Sequence, residues 1–156
     1  MSTSRRMIAS FDLGLHLGWA ITQGGVRLDS GVWHLKGKNW ESRGVSYLRA
    51  GKHINNLFEQ YPSIELVTWE TVKRFMSSDA AITYGALAGQ LMVACELANH
   101  EYIGYSPTEI KKVCTGKGNA SKEEMIAAAL RIYGHTCESD EADALCTGYT
   151  ADKHLG

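Results

Sequence analysis

The chain has 156 residues, 44% of them hydrophobic, and a formal net charge of −1. That suits one globular domain over residues 1–156 with a proper core, and it leaves any nucleic-acid surface to local basic clusters. The four cysteines, Cys95, Cys114, Cys137 and Cys146, have no zinc-like spacing and fit a reducing, cytoplasmic setting; without a signal peptide or a membrane-length apolar run, no membrane is expected.

Residues 1–6 are polar and expected to fray. Met7 to Asp12 is an apolar run ending in an acid, which predicts a buried strand delivering a carboxylate to its end. Gly14 and Gly18 predict a tight turn, after which Trp19-Ala20-Ile21-Thr22 continues extended to the hairpin signal Gly24-Gly25. Val26 to Leu35 alternates as a third strand, with Gly31 a place where it can bend. The opening therefore reads as a three-stranded antiparallel meander.

Lys36 to Ser42 is a polar loop. From Arg43 to Gln60, Val45, Leu48, Ile54, Leu57 and Phe58 recur with helical period, and Pro62 follows as a stop. Ile64 to Glu70 repeats the opening pattern of an apolar strand ending in an acid. A loop with Lys73, Arg74, Phe75 and Met76 leads into a helix over about Ala80 to Asn99. Its alanines and glycines predict close packing, against a neighbouring helix or a second subunit.

Glu101 to Tyr105 is a short strand. Ser106-Pro107-Thr108-Glu109 and Ser121-Lys122-Glu123-Glu124 have the form of capping boxes, each opening a helix, the second ending near Gly134. A basic loop, Thr115 to Asn119, lies between them. The last helix runs from about Ser139 to Asp152. These elements predict an α/β fold with a mixed five-stranded sheet, three antiparallel strands then two parallel, and helices on both faces.

Four acids stand out. Asp12 and Glu70 end apolar strands, while Asp140 and Asp143 lie at i and i+3 on one helical face. If the strands are neighbours and the helix crosses their ends, these carboxylates converge as hard oxygen ligands for Mg²⁺ or Mn²⁺. Carboxylates holding two metals about 4 Å apart are the usual apparatus for cutting phosphodiesters. Each acid also has a plainer reading: Asp12 in a turn, Glu70 at a strand edge, Asp140 and Asp143 complementing a helix macrodipole.

The motif Asp12-Leu13-Gly14-Leu15 with Gly18-Trp19-Ala20 resembles the first-strand motif of RuvC-type Holliday junction resolvases. Glu70, the run from Pro107 through Lys111-Lys112 and Thr115-Gly116-Lys117-Gly118 to Lys122, and Asp140 to Leu145 extend the resemblance in family order. It spans about Ile8 to Tyr149. The resemblance implies an RNase H-like fold and a Mg²⁺-dependent homodimer, two ions per site, that nicks four-way DNA junctions in pairs. It further implies catalytic and metal-binding roles for Asp12, Glu70, Asp140 and Asp143. DNA contacts would come from Lys111 and Lys122, with Lys112, Lys117, Lys73, Arg74 and the aromatic Phe75 nearby; Phe75 as a core anchor is the alternative.

Leu13 stands where the family usually has proline, and the compact length is more similar to phage-type members, expected in a bacterial or phage-infected cytoplasm. A second reading keeps the fold but broadens the substrate to flaps, forks and replication intermediates. A third, an actin-like sugar kinase or ATPase fragment, shares the Asp-Gly turn but requires a second lobe that 156 residues do not hold.

Overall fold

The computed structural model describes residues 5–155, so the first four of the six residues expected to fray lie outside them, while Arg5 O accepts from Gln23 Nε2 at 3.1 Å. Strands β1 (Met7–Asp12), β2 (His16–Gln23) and β3 (Val26–His34) form the antiparallel meander. Helix α1 (Arg43–Gln60) precedes β4 (Leu66–Glu70), and α2 (Ser78–Ala98) precedes β5 (Glu101–Tyr105). Three helices close the fold: α3 (Pro107–Thr115), α4 (Lys122–Tyr133) and α5 (Ser139–Leu155). The sheet order is β3-β2-β1-β4-β5, with β4 parallel to both β1 and β5.

Side-chain alternation along the central strands sorts the core into two faces. Ala9, Phe11, Leu17, Ile21, Val67 and Trp69 meet Ile54 and Leu57 of α1 and Leu87 and Leu91 of α2 on one side. Ile8, Ala20 and Leu66 meet Ile110 of α3, Met125 of α4 and Leu145 of α5 on the other. The same parity places Asp12 and Glu70 on the α5 side, because they follow Ile8 and Leu66 by four residues each.

Several details differ from the sequence reading. Gly18 is inside β2 rather than in the turn, opposite Asp12 in the ladder. A Cβ at Gly18 would collide with the backbone carbonyl of Asp140, so the missing side chain admits the start of α5 to the sheet. Gly148 does the same lower down, where a Cβ would stand 2.8 Å from Ser10 Oγ. The strand β3 continues through Gly31, and the ladder irregularity falls instead at Ile21/Thr22.

On α1, Ser46 and Ala50 take inward positions while Leu48 is 58% exposed, so the apolar stripe is offset from the one its hydrophobic residues suggest. The capping box at Ser121 is reciprocal with Glu124, whereas Ser106 only accepts from the Glu109 backbone N–H. Helix α2 is, against expectation, long and apolar enough to cross a bilayer, with a mean hydropathy of 1.3. Its inner face nevertheless packs Leu87, Leu91, Ala94 and Cys95 into the core shared with α1 and the sheet.

Candidate active site

The C-terminal ends of β1 and β4 lie side by side, with Phe11 and Trp69 paired just before Asp12 and Glu70. The first turn of α5 crosses above them through the gap at Gly18, bringing Asp140 and Asp143 to the same place. Burial, then repulsion from Asp143, Glu70 and Asp140, pushes the Asp12 carboxyl up to about 9, with a hydrogen bond from the protonated Asp12 to Asp140 acting in the same direction. Burial, then Glu70 and Asp140, raises Asp143 to about 7, while Lys111 and Lys122 oppose the rise. Burial also raises Glu70, again opposed by Lys111. All four predicted acids therefore share one electrostatic neighbourhood.

The cations near them are Lys111 of α3 and Lys122 of α4. Ionising all four carboxylates against two ammonium groups would leave a local imbalance that a divalent cation offsets, and an all-oxygen donor set suits a hard one. Among the described residues, no three His, Cys, Asp or Glu side chains are drawn into a finished ligand shell.

Hydrogen bonds fix the backbone under these acids. The Tyr84 hydroxyl donates to the Glu70 carbonyl at 3.2 Å and accepts from Val72 N at 3.3 Å and Trp69 Nε1 at 3.2 Å. Glu141, between Asp140 and Asp143, accepts from Ser30 Oγ and His135 Nε2, both at 2.6 Å, through one oxygen. Arg27 Nε in turn donates to Ser30 Oγ at 2.5 Å. This chain ties the first turn of α5 to β3, and its anchor residues carried no signal in the sequence beyond Glu141 standing between two acids.

The remaining predicted contacts are spread around the site. Lys73, Arg74 and Phe75 are exposed in the loop after Glu70, with the Phe75 ring 5.5 Å from Tyr84 and 38% exposed, so it is not a core anchor. Lys112 is exposed in the last turn of α3. Lys117 pairs with Glu124 at 2.9 Å, and neither it nor Lys112 contributes to the charge balance of the acids.

The model of the crossover junction endodeoxyribonuclease RuvC family matches residues 21–150. The chain belongs to the RuvC family. It is 31% identical over 140 residues to the RuvC of Akkermansia muciniphila, covering 85% of this chain and 81% of that protein. Its fold is similar to that of Thermus thermophilus RuvC in complex with Holliday junction substrate. The TM-score is 0.80 at 24% identity, over 93% of this chain and 92% of that one. The yeast mitochondrial Holliday junction resolvase Ydc2 shares the fold at a TM-score of 0.66 and 14% identity, over 99% of this chain and 83% of that one. RuvC nucleases depend on divalent metal, in keeping with the carboxylate set described above.

Proposed function

We propose that this protein is an endonuclease that resolves four-way DNA junctions by paired nicks, using Asp12, Glu70, Asp140 and Asp143. The observation that carries the reading is the convergence of those acids in a chain of the RuvC family. Holliday junction substrate is bound by the Thermus relative of the same fold.

The four carboxylates would hold two Mg²⁺ ions, with Mn²⁺ able to substitute. Divalent metal at such a site supplies an activated water and stabilises charge on the phosphate and the leaving oxygen. The protein's own residues do the rest. Glu70 and Asp12 are held rigidly by the β1–β4 pairing and the Tyr84 hydroxyl. Lys111 and Lys122 offset negative charge beside the acids, and in this reading they would meet the scissile-strand phosphates. Lys112, Lys117, Lys73 and Arg74 extend the basic surface, and Phe75 offers a ring for stacking on a base near the crossing.

Paired nicks require two sites, and α2 supplies a face for a second copy. Ile82, Gly85, Gly89, Val93 and Leu97 form one stripe; Ile82, Val93 and Leu97 are 51%, 59% and 80% exposed, and Cβ positions at both glycines meet open space. Small residues flanked by exposed apolar ones allow close approach of two such helices. Sedimentation of wild type against Val93→Glu tests this face: a dimer becoming a monomer supports it, and an unchanged mass overturns it. The four free cysteines suit the reducing cytoplasm of a bacterial or phage-infected cell.

A panel of labelled substrates tests the activity. Symmetric paired nicks in four-way junctions, with flaps and forks left intact, support junction resolution. Equal cutting of flaps and forks would replace it with the broader branched-DNA reading.

A further inference from the structure

Residues 36–43 form a second basic, aromatic loop on the sheet end that carries the acids. Leu35 N donates to Leu15 O at 2.8 Å, pinning the start of the loop to the turn that follows Asp12. At its far end Arg43 Nη2 bonds Asp79 Oδ1 at 2.7 Å, joining the loop to the start of α2. The loop of Lys73, Arg74 and Phe75 runs into that same helix start. The two loops therefore meet at the start of α2, on the sheet end that carries the acids.

The segment concentrates charge in a chain of formal net charge −1. Lys36 and Lys38 are exposed, and with Arg43 they line a shallow groove that also includes Leu15, Asp79 and Thr83. The loop's own acid, Glu41, is taken up internally: it accepts from Lys38 N at 2.8 Å and Arg49 Nη2 at 2.9 Å. That fold-back sets the loop's shape, and among the described residues neither Lys36 nor Lys38 is in a salt bridge.

Trp40 at the tip is 78% exposed, whereas Trp69 is buried and Trp19 and Trp33 are partly buried and stacked on each other at 5.5 Å. Lys38 Nζ stands 5.4 Å from the Trp40 ring centroid. An indole this exposed costs solubility unless something covers it, and lysines around it favour a polyanion with flat apolar faces.

We propose that the 36–43 loop is a second DNA contact, with Trp40 stacking on a base of the branched substrate and Lys36 and Lys38 meeting its phosphates. It rests on the proposed junction-binding function and extends that interface to the β1 side of the acids. Phe75 and Trp40 then offer two rings from neighbouring loops at the acid-bearing end of the sheet.

The test uses full-length Asp12→Asn protein and a synthetic four-way junction, comparing it with the same protein carrying Trp40→Ala, Trp40→Phe or Lys36→Ala/Lys38→Ala. Trp40→Ala is expected to weaken binding about 5- to 100-fold, the scale of one lost stacking partner, and Trp40→Phe by less. The double lysine variant should reduce the slope of log affinity against log salt by about 2. Junction should quench the exposed indole emission in Asp12→Asn protein and leave Trp40→Phe emission nearly unchanged. Binding by Trp40→Ala within twofold of the parent, or parent indole emission unchanged by junction, overturns the stacking contact even though junction binding itself survives. Failure of the parent protein to bind any junction overturns the functional reading as well.

Discussion

Gly18 faces Asp12 across the β1–β2 ladder, and the space its side chain would fill belongs to the backbone carbonyl of Asp140. One missing Cβ thus governs how near the α5 acids come to the strand acids. Gly18→Ala should force backbone against backbone and cost about 2 kcal/mol or more, at the upper end for overpacked cores. Thermal melts would show it as a Tm loss of several degrees, together with loss of cleavage. Gly44→Ala, where a Cβ meets open space, is the control and should melt as wild type or higher.

Glu141 holds the same helix turn from the other side. Glu141→Ala removes the acceptor shared by Ser30 and His135 and frees the segment bearing Asp140 and Asp143. Loss of such supporting contacts typically costs 10–100-fold in metal affinity or activity. A cleavage titration should therefore show a higher half-saturating Mg²⁺ concentration, with Glu141→Gln recovering much of the loss. An unchanged Mg²⁺ requirement in the alanine variant would mean that this network does not position the acids.

Much of this was legible in the sequence because the pattern and the chemistry coincide. Apolar runs ending in Asp12 and Glu70 read as strands with carboxylates at their ends, and Asp140 and Asp143 share a helix face. What the sequence concealed is long-range. Gly18 looks like a turn residue until the helix that fills its space is known. Ser30 and Arg27, on a half-buried strand, have nothing to mark them as partners of Glu141 more than a hundred residues away. Leu48 fits a helical period yet faces solvent, because Ala50 and Ser46 suit the tight contact better.

The raised carboxyl of Asp12 makes metal-free stability depend on pH. Unfolded, the group loses its proton near 3.8; folded, it keeps it until about 9. The unfolded state therefore binds fewer protons in between, and stability falls as pH rises through that window. In EDTA, wild type should melt progressively lower from pH 5 to pH 9. Asp12→Asn should stabilise the protein by about 1–3 kcal/mol at pH 8, since it removes the charge that burial disfavours. Added Mg²⁺ should raise the Tm of wild type at that pH more than that of the variant. A flat wild-type profile in EDTA would show that Asp12 is not held in this strained state.

A metal-dependent phosphodiester-cutting site built by four acids for junctions makes cleavage depend on both the metal and Asp12. Wild type and Asp12→Asn incubated with a labelled four-way junction, in Mg²⁺ and in EDTA, separate these requirements. Wild type should make symmetric paired nicks in Mg²⁺ and none in EDTA, while Asp12→Asn binds the junction and leaves it whole. Cleavage by pure Asp12→Asn, or undiminished wild-type cleavage in EDTA, would mean that these acids and their metal do not cut the junction.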